Sequence, residues 1–327
     1  MKKEILIGEN DGGQRLDRFL TKAFPALKSG MINKAVRNKD IRLNGKRTEA
    51  NVKLKKDDRV YVYFPDRLLD KKPVYDDFRS AENHLSVIYE DENILLVDKE
   101  QGLVVHADND GTVDTLINRI KKYLCLKGEY IPENERSFAP SLCNRIDRNT
   151  CGIVIAAKNA EALRIMSEKI KNRELSKKYI CISLGELPKK EDTLTAYLQK
   201  DTLKNTVTVS DKKTSENLTI KTSYRVLESC GELSLIEIDL LTGRTHQIRA
   251  HLAHIGHPLL GDGKYGINKI NRKYGFTVQA LCSYRLTFDF KTDGGILNYL
   301  DKKSFRVKEI PFIEKYNQIK EQARKKD

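Results

Sequence analysis

Three short stretches of the chain carry side chains suited to chemistry. The first, Asn144-Arg145-Ile146-Asp147-Arg148-Asn149-Thr150-Cys151-Gly152, sets one carboxylate between two arginines just ahead of an apolar run at 153–157. The second, Leu241-Thr242-Gly243-Arg244-Thr245-His246-Gln247-Ile248-Arg249, leads through a glycine turn into a helical pattern, and the third, Gly256-His257-Pro258-Leu259-Leu260-Gly261-Asp262, follows it. An ionised carboxylate serves as a nucleophile or as a base. Taken alone, the first stretch reads as a structural ion-pair turn. Four of the six histidines, His246, His251, His254 and His257, fall within twelve positions. They lack an H-E-x-x-H core and cysteine partners at finger spacing, and on a helix only His251 and His254 share a face, so no metal site is expected.

Periodicity gives the elements that must position these stretches. Leu16, Phe19, Leu20 and Ala23 recur at helical spacing in Arg15–Phe24, and Ile32, Ala35 and Val36 do so in Gly30–Asn38. A short strand at Ile41–Leu43 is closed by Asn44-Gly45, a tight-turn dipeptide, and Arg59–Phe64 reads as a closing strand. Pro65–Asn83 is polar, charged and without period, and so reads as a linker. Beyond it, strands are expected at Ile94–Val97, Ile153–Ala157, Tyr179–Leu184, Leu233–Leu241 and Leu286–Phe290. In the fourth of these, Ile236, Ile238 and Leu240 oppose Glu237 and Asp239. Helices are expected at Thr112–Leu124, from an Asn159 cap to about Asn172, and at Thr245–Ile255, where Gly256 and Pro258 stop it. After Ile313 the chain reads as a basic helical end or a frayed terminus.

In this order the three stretches resemble the pseudouridine synthases of the RluA family. That family's signature around its catalytic aspartate is H-R-L-D-x-x-T-S-G, matched here by N-R-I-D-R-N-T-C-G. T-G-R-T-H-Q-I-R is intact at Thr242–Arg249, and G-H-P-L-L-G-D is intact at Gly256–Asp262, with Tyr265-Gly266 behind it. Lys178-Tyr179 resembles the family's K-x-Y tyrosine, and Val87–His106 its opening strand-turn-strand. The resemblance spans roughly residues 85 to 312. Asn144 replaces the usual histidine, Cys151 the usual serine, and Leu281-Cys282-Ser283 the usual L-H-A. Separately, Arg15-Leu16-Asp17, Ile32, Arg37 and Ile41–Arg47 resemble the alpha-L RNA-binding module of a small-subunit ribosomal protein.

The resemblance implies an α+β protein. A small alpha-L domain at 1–64 and a linker at 65–84 lead into a catalytic domain at 85–313, whose mixed, mainly antiparallel sheet is flanked by helices. A basic tail, 314–327, follows. It implies isomerisation of uridine to pseudouridine in structured RNA, with large-subunit ribosomal RNA favoured and transfer RNA as the alternative. The reaction breaks the N1–C1′ bond, turns the uracil and rebonds C5 to C1′. It needs neither redox change nor phosphate transfer, so no cofactor is expected. The resemblance makes Asp147 the catalytic carboxylate, attacking C1′ or removing the C2′ proton. Arg249 is its cationic partner, suited because guanidinium keeps its proton. Tyr179 is implied to stack on the base, and Arg145 to enter the place a flipped base vacates. Arg145 precedes Asp147 by two residues, so an extended segment points both to one side. RNA contacts are implied for Arg15, Arg18, Lys34, Arg37, Arg42, Lys46, Arg47 and Arg244.

Composition agrees with an RNA partner. The chain has 327 residues and a formal net charge of +14, and residues 1–75 hold 19 Lys+Arg against 10 Asp+Glu. That field attracts a polyanion. Tryptophan is absent, so base stacking falls to Tyr, Phe, His or Arg. Six isolated cysteines without a C-x-x-C read as reduced thiols. No run approaches a membrane span and Met1–Asn10 lacks a secretory pattern, so a cytoplasmic monomer away from membranes is expected. The rival reading is a non-catalytic RNA-binding or ribosome-assembly factor. Against it stands the joint presence of Asp147, Tyr179 and Arg249.

Overall fold

The computed structural model describes residues 2–69, 78–107, 111–201 and 206–325. Its first unit contains β1 (Lys2–Leu6), α1 (Leu16–Ala23), α2 (Ser29–Arg37), β2 (Ile41–Leu43), β3 (Lys46–Arg47), β4 (Arg59–Tyr63) and α3 (Asp66–Leu69). The strands form their own sheet in the order β1-β4-β2-β3. Leu16, Phe19 and Leu20 of α1 and Ile32 of α2 close over Ile5, Ile41, Val60 and Val62 in a separate core. Asn44 and Gly45 both take positive φ, 51° and 75°, which matches the twist of the β2–β3 hairpin. Strand β1, short and with few apolar residues, was not foreseen; it pairs along the edge of β4. The core reaches Leu69 in α3, and residues 70–77 of the expected linker lie outside the described residues.

The second unit runs β5 (Val87–Glu90), β6 (Ile94–Lys99), α4 (Leu116–Leu126), β7 (Ser141–Leu142), β8 (Cys151–Ala157), α5 (Ala160–Lys171), β9 (Leu175–Leu184), β10 (Glu191–Asp201), β11 (Thr206–Ser210), β12 (Leu218–Cys230), β13 (Leu233–Leu240), α6 (Gln247–His254), α7 (Asn268–Lys273), β14 (Leu281–Phe288), β15 (Ser304–Arg306) and α8 (Ile313–Arg324). Its sheet has the order β11-β10-β12-β13-β9-β14-β8-β6-β5, with β15 on β14 and β7 on β8. Every described pairing is antiparallel except β14 with β8, so the sheet is mixed and mainly antiparallel. One face is covered by α5 and α8 through Ala162, Met166 and Tyr316. The other is covered by α4 and α6 through Leu116, Ile120, Ile248 and Leu252, and this face also carries Tyr179 and Ile238.

The two units meet through polar groups. Asn10 donates to Glu135 at 2.9 Å and accepts the Ala160 amide at 3.1 Å. Gln14 donates to Ser137, Ser137 donates to Asp11, and Arg164 of α5 donates to the Gly12 carbonyl.

The structure moves two helix starts, begins β14 at Leu281 where the sequence pattern places it at Leu286, and shows where the Glu237 side of β13 lies. Helix α4 starts at Leu116, not Thr112, because Thr115 is its N-cap and accepts the Asn118 amide, leaving Val113 exposed ahead of it. Helix α6 starts at Gln247, not Thr245, because His246 turns into the left-handed region at φ 52°. The Glu237 side of β13 is not a solvent face: Glu237 is buried, accepting from Lys178, Arg225 and Tyr284 on three neighbouring strands. The tail after Ile313 is helical, and Tyr316 is fully buried.

Candidate active site

The Asp147 loop is fixed before its chemistry begins. Asn144 accepts the Ile155 amide at 2.8 Å, tying the loop's entry to β8. The Thr150 amide donates to the Asp147 carbonyl at 3.0 Å, closing the turn. Buried Lys99, at the end of β6, donates to the carbonyls of Glu100, Leu103 and Arg148 at 2.7–2.8 Å. Burial pulls that ammonium down to about 8. Gly152 follows, at φ 106°, where a Cβ would lie 2.3 Å from the Ser283 carbonyl oxygen; only glycine lets β8 and β14 approach so closely. Along the loop Arg145 is exposed, Ile146 buried and Asp147 part-exposed, an alternation that puts Arg145 and Asp147 on one side.

From α6, Arg249 donates to Asp147 at 2.8 Å through one terminal nitrogen. Its Nε and other terminal nitrogen hold Asp262 at 2.7 and 2.9 Å. Asp262 is fully buried and also accepts the Lys264 and Tyr265 amides. Burial pushes its acid up, but Arg249 and those amides hold it below the ordinary value. The guanidinium is therefore clamped from behind and presents one N–H edge to Asp147, whose side chain is 24% exposed. Tyr179 on β9 is buried, with Ser283 as its hydrogen-bonding neighbour, and burial followed by the Asp147 charge pushes its phenol up to about 12. It is a neutral aromatic wall. The Tyr265 ring lies 5.2 Å from the Arg249 guanidinium, and its hydroxyl meets His246 Nδ1 at 2.8 Å. This constellation offers an ion-paired, partly exposed carboxylate near a buried aromatic ring.

Comparison with known proteins follows the same line. Residues 93–254 match the family model for RNA pseudouridylate synthases. An uncharacterized RNA pseudouridine synthase of Mycoplasma genitalium is 32% identical over 317 residues, covering 95% of this chain and 97% of that relative. The chain belongs to the RNA pseudouridine synthases. A ribosomal large subunit pseudouridine synthase C of Buchnera aphidicola is 31% identical, covering 87% of this chain and 88% of that relative. The fold is similar to that of human RNA pseudouridylate synthase domain containing 4, at TM-score 0.56 and 19% identity over 72% of this chain and 92% of that one. The protein is thus an enzyme that isomerises uridine in RNA.

In this synthase Asp147, Arg249 and Tyr179 converge from a loop, a helix and a strand. Arg145 stands at the rim, where its charge acts on His106. Arg244 is exposed in the turn ahead of α6. Arg18, Lys34, Arg37, Arg42, Lys46 and Arg47 are exposed on the first unit, as is Arg15, which pairs with Asp17 at 2.6 Å. The four clustered histidines disperse: His246 to Tyr265, His251 to Thr222, His254 to Asp211 and His257 to the Leu184 carbonyl. Among the described residues no three metal-ligating side chains gather. Asn144 and buried Cys151, the departures from the family pattern, contact backbone instead of facing the cleft; the Cys151 thiol lies 3.6 Å from the Leu281 carbonyl. Sequence reasoning left Lys99, Asp262, Tyr265 and His246 without roles. The last three lie inside or just behind intact motifs, and that was the available signal.

Proposed function

We propose that this synthase modifies a uridine of large-subunit ribosomal RNA, with Asp147 as the carboxylate that acts on the ribose. The observation that carries the reading is the one-sided clamp on Arg249: buried Asp262 occupies two of its nitrogens and leaves the third for Asp147. A guanidinium so placed pairs with Asp147 and aims its carboxylate, and either attack on C1′ or removal of the C2′ proton starts from that geometry. Tyr179 lies against the flipped base, and Arg145 fills the vacated stack. The ribosomal substrate rests on the printed function of relatives such as the Buchnera aphidicola protein.

We read residues 1–64, with a core that runs on to Leu69, as the alpha-L RNA-binding domain and 85–313 as the catalytic domain. Tyr316 of α8 completes the core of the latter, so that the stretch 314–327 expected as a basic tail begins as a packed helix. The separate core of the first unit supports that division. Arg42 and Arg47 are Cα partners across the β2–β3 hairpin, and like charges so opposed destabilise a sheet until an anion joins them. That fits a phosphate contact by these arginines, with Arg15, Arg18, Lys34, Arg37, Lys46 and, beside the cleft, Arg244 adding to the field. Reduced cysteines and the lack of a membrane-length apolar helix among the described residues fit a cytoplasmic site of action.

Asp147→Asn tests the reading. Mapping pseudouridines in cellular RNA with and without the protein identifies the uridine, and a stem-loop carrying it becomes the substrate. The variant is expected to fold and to bind this stem-loop at least as tightly as the parent, since one anion has gone, and to release no tritium from 5-tritiated uridine above background. A folded, RNA-binding Asn variant that works at the parent rate removes Asp147 from the mechanism.

A further inference from the structure

We propose that His246 touches the substrate, donating its Nε2–H to a carbonyl oxygen of the uracil as the base leaves C1′. The inference rests on the reading of Asp147 given above and adds a second group to the same cleft.

The geometry begins with an odd backbone. His246 is the residue before α6, and its φ of 52° lies in the left-handed region, which a side chain with a Cβ seldom adopts. In that position an N-cap side chain ordinarily bonds back to the helix, yet His246 makes no such bond. Its ring turns instead to Tyr265, edge to face at 5.7 Å between centroids, with Nδ1 2.8 Å from the hydroxyl. The left-handed turn thus aims the ring away from the helix end and onto Tyr265.

The Tyr265 hydroxyl is the group that can set where the imidazole proton sits. Its oxygen accepts the Val207 amide of β11 at 3.0 Å. In the arrangement proposed, the hydroxyl donates its own proton into the short contact with Nδ1. That makes Nδ1 an acceptor and assigns the proton of the neutral ring to Nε2. The ring is neutral because burial holds its pKa below the ordinary value, with Arg249 and Lys264 acting the same way against the pull of Asp147 and Asp262. Among the described residues Nε2 has no acceptor, and the ring is only partly buried. Tyr265 ties the ring to the Arg249 guanidinium that pairs with Asp147, so carboxylate and imidazole belong to one cluster. A ribose seated on Asp147 brings its base within reach of the Nε2–H.

The chemistry calls for such a donor. Whichever step Asp147 performs, the N1–C1′ bond breaks with its electron pair passing to the ring, and the uracil departs as an anion whose charge spreads over O2 and O4. A neutral donor already in place stabilises that charge, and removing one such donor typically costs about 10²-fold in rate. No proton changes hands at His246. The hydrogen bond forms as the anion forms and weakens when C5 has rebonded to C1′ and the C5 proton has left to solvent. The same bond keeps the free base from leaving while it turns.

The test uses the full chain and the stem-loop carrying the mapped uridine, synthesised with uridine, 2-thiouridine or 4-thiouridine at that position. Sulfur is a poor hydrogen-bond acceptor. The parent is expected to slow at least tenfold with sulfur at one of the two positions in single-turnover assays. His246→Ala is expected to lose about 10- to 100-fold on uridine with Kd for the stem-loop unchanged, and to be indifferent to that same sulfur. His246→Gln, which keeps an N–H donor, recovers part of the loss and also serves as the reporter if the alanine variant does not fold. Tyr265→Phe keeps the ring beneath Arg249 but frees the imidazole to turn over; it is expected to slow the single-turnover rate severalfold at constant Kd. Sulfur sensitivity retained in full by His246→Ala and His246→Gln overturns the proposal, as does a loss confined to Kd or to the melting temperature. A parent enzyme inactive on the uridine stem-loop overturns instead the substrate reading on which it rests.

Discussion

Arg249 answers to two carboxylates of unequal kind. Asp262 has 0% of its side chain exposed, while Asp147 has 24%. Losing the arginine therefore has two separable effects. Arg249→Met strands a buried charge at Asp262, which typically costs about 3–5 kcal/mol. It also leaves Asp147 without its cation. Arg249→Met combined with Asp262→Asn removes the stranded charge while keeping an oxygen for the Lys264 and Tyr265 amides. The double variant is expected to recover most of the stability in urea unfolding and none of the tritium release. If the double variant is as unstable as the single one, Asp262 does not supply the clamp. The pairing of Arg249 with Asp147, 102 residues apart, was legible in the chain only through the family motifs, because nothing local joins them. Asp262 stood in an intact motif, but its role needs the position of α6, which local sequence does not encode.

At the level of elements, periodicity was a good guide wherever an element meets the core along one stripe. Helices α1 and α2 of the first unit and α5 with its Asn159 cap lie within a residue or two of expectation, whereas α3 falls in the stretch read as linker. It failed for β10, β11 and β12, where one face is exposed and polar residues interrupt the apolar ones. Alternation in β13 was plain, but whether its Glu237 side faces water depends on strands brought up from elsewhere in the chain. Helix α6 makes a testable case of element-scale electrostatics. His251 on its inner side is 1% exposed and meets Thr222 at 3.0 Å, and burial pulls its imidazole down to about 4. Between pH 4 and the ordinary 6.5 the unfolded chain binds a proton that the folded one refuses. Stability is thus complete above 6.5 and falls as acid is added. From pH 6.5 to 5 the loss from this group is on the order of 1.5 kcal/mol. His251→Asn keeps a polar partner for Thr222 and is expected to flatten the difference between denaturation midpoints at those two pH values. An unchanged slope places the acid sensitivity elsewhere.

For the whole molecule, the first unit's charge sets the salt response. If it neutralises about five phosphates, log affinity should fall with log salt at a slope near −4. Because its core runs to Leu69, removal of residues 1–69 is the clean truncation. The shortened enzyme is expected to fold, to show a smaller salt slope in filter-binding titrations, and to work poorly on long ribosomal RNA while still acting on the stem-loop. An unaltered slope removes the first unit as the RNA anchor. The contacts that join this unit to the second are few, short and directional: Asn10 to Glu135 and the start of α5, Gln14 to Ser137, Arg164 to Gly12. Beside them Gly13 takes φ 76°, a conformation that a larger side chain adopts only with strain. If the first unit grips phosphate as proposed, such a seat makes the protein a ruler: the span from that grip to Asp147 is set by the polypeptide, and the enzyme would select its uridine by distance and bearing from a neighbouring RNA helix more than by the letters around it.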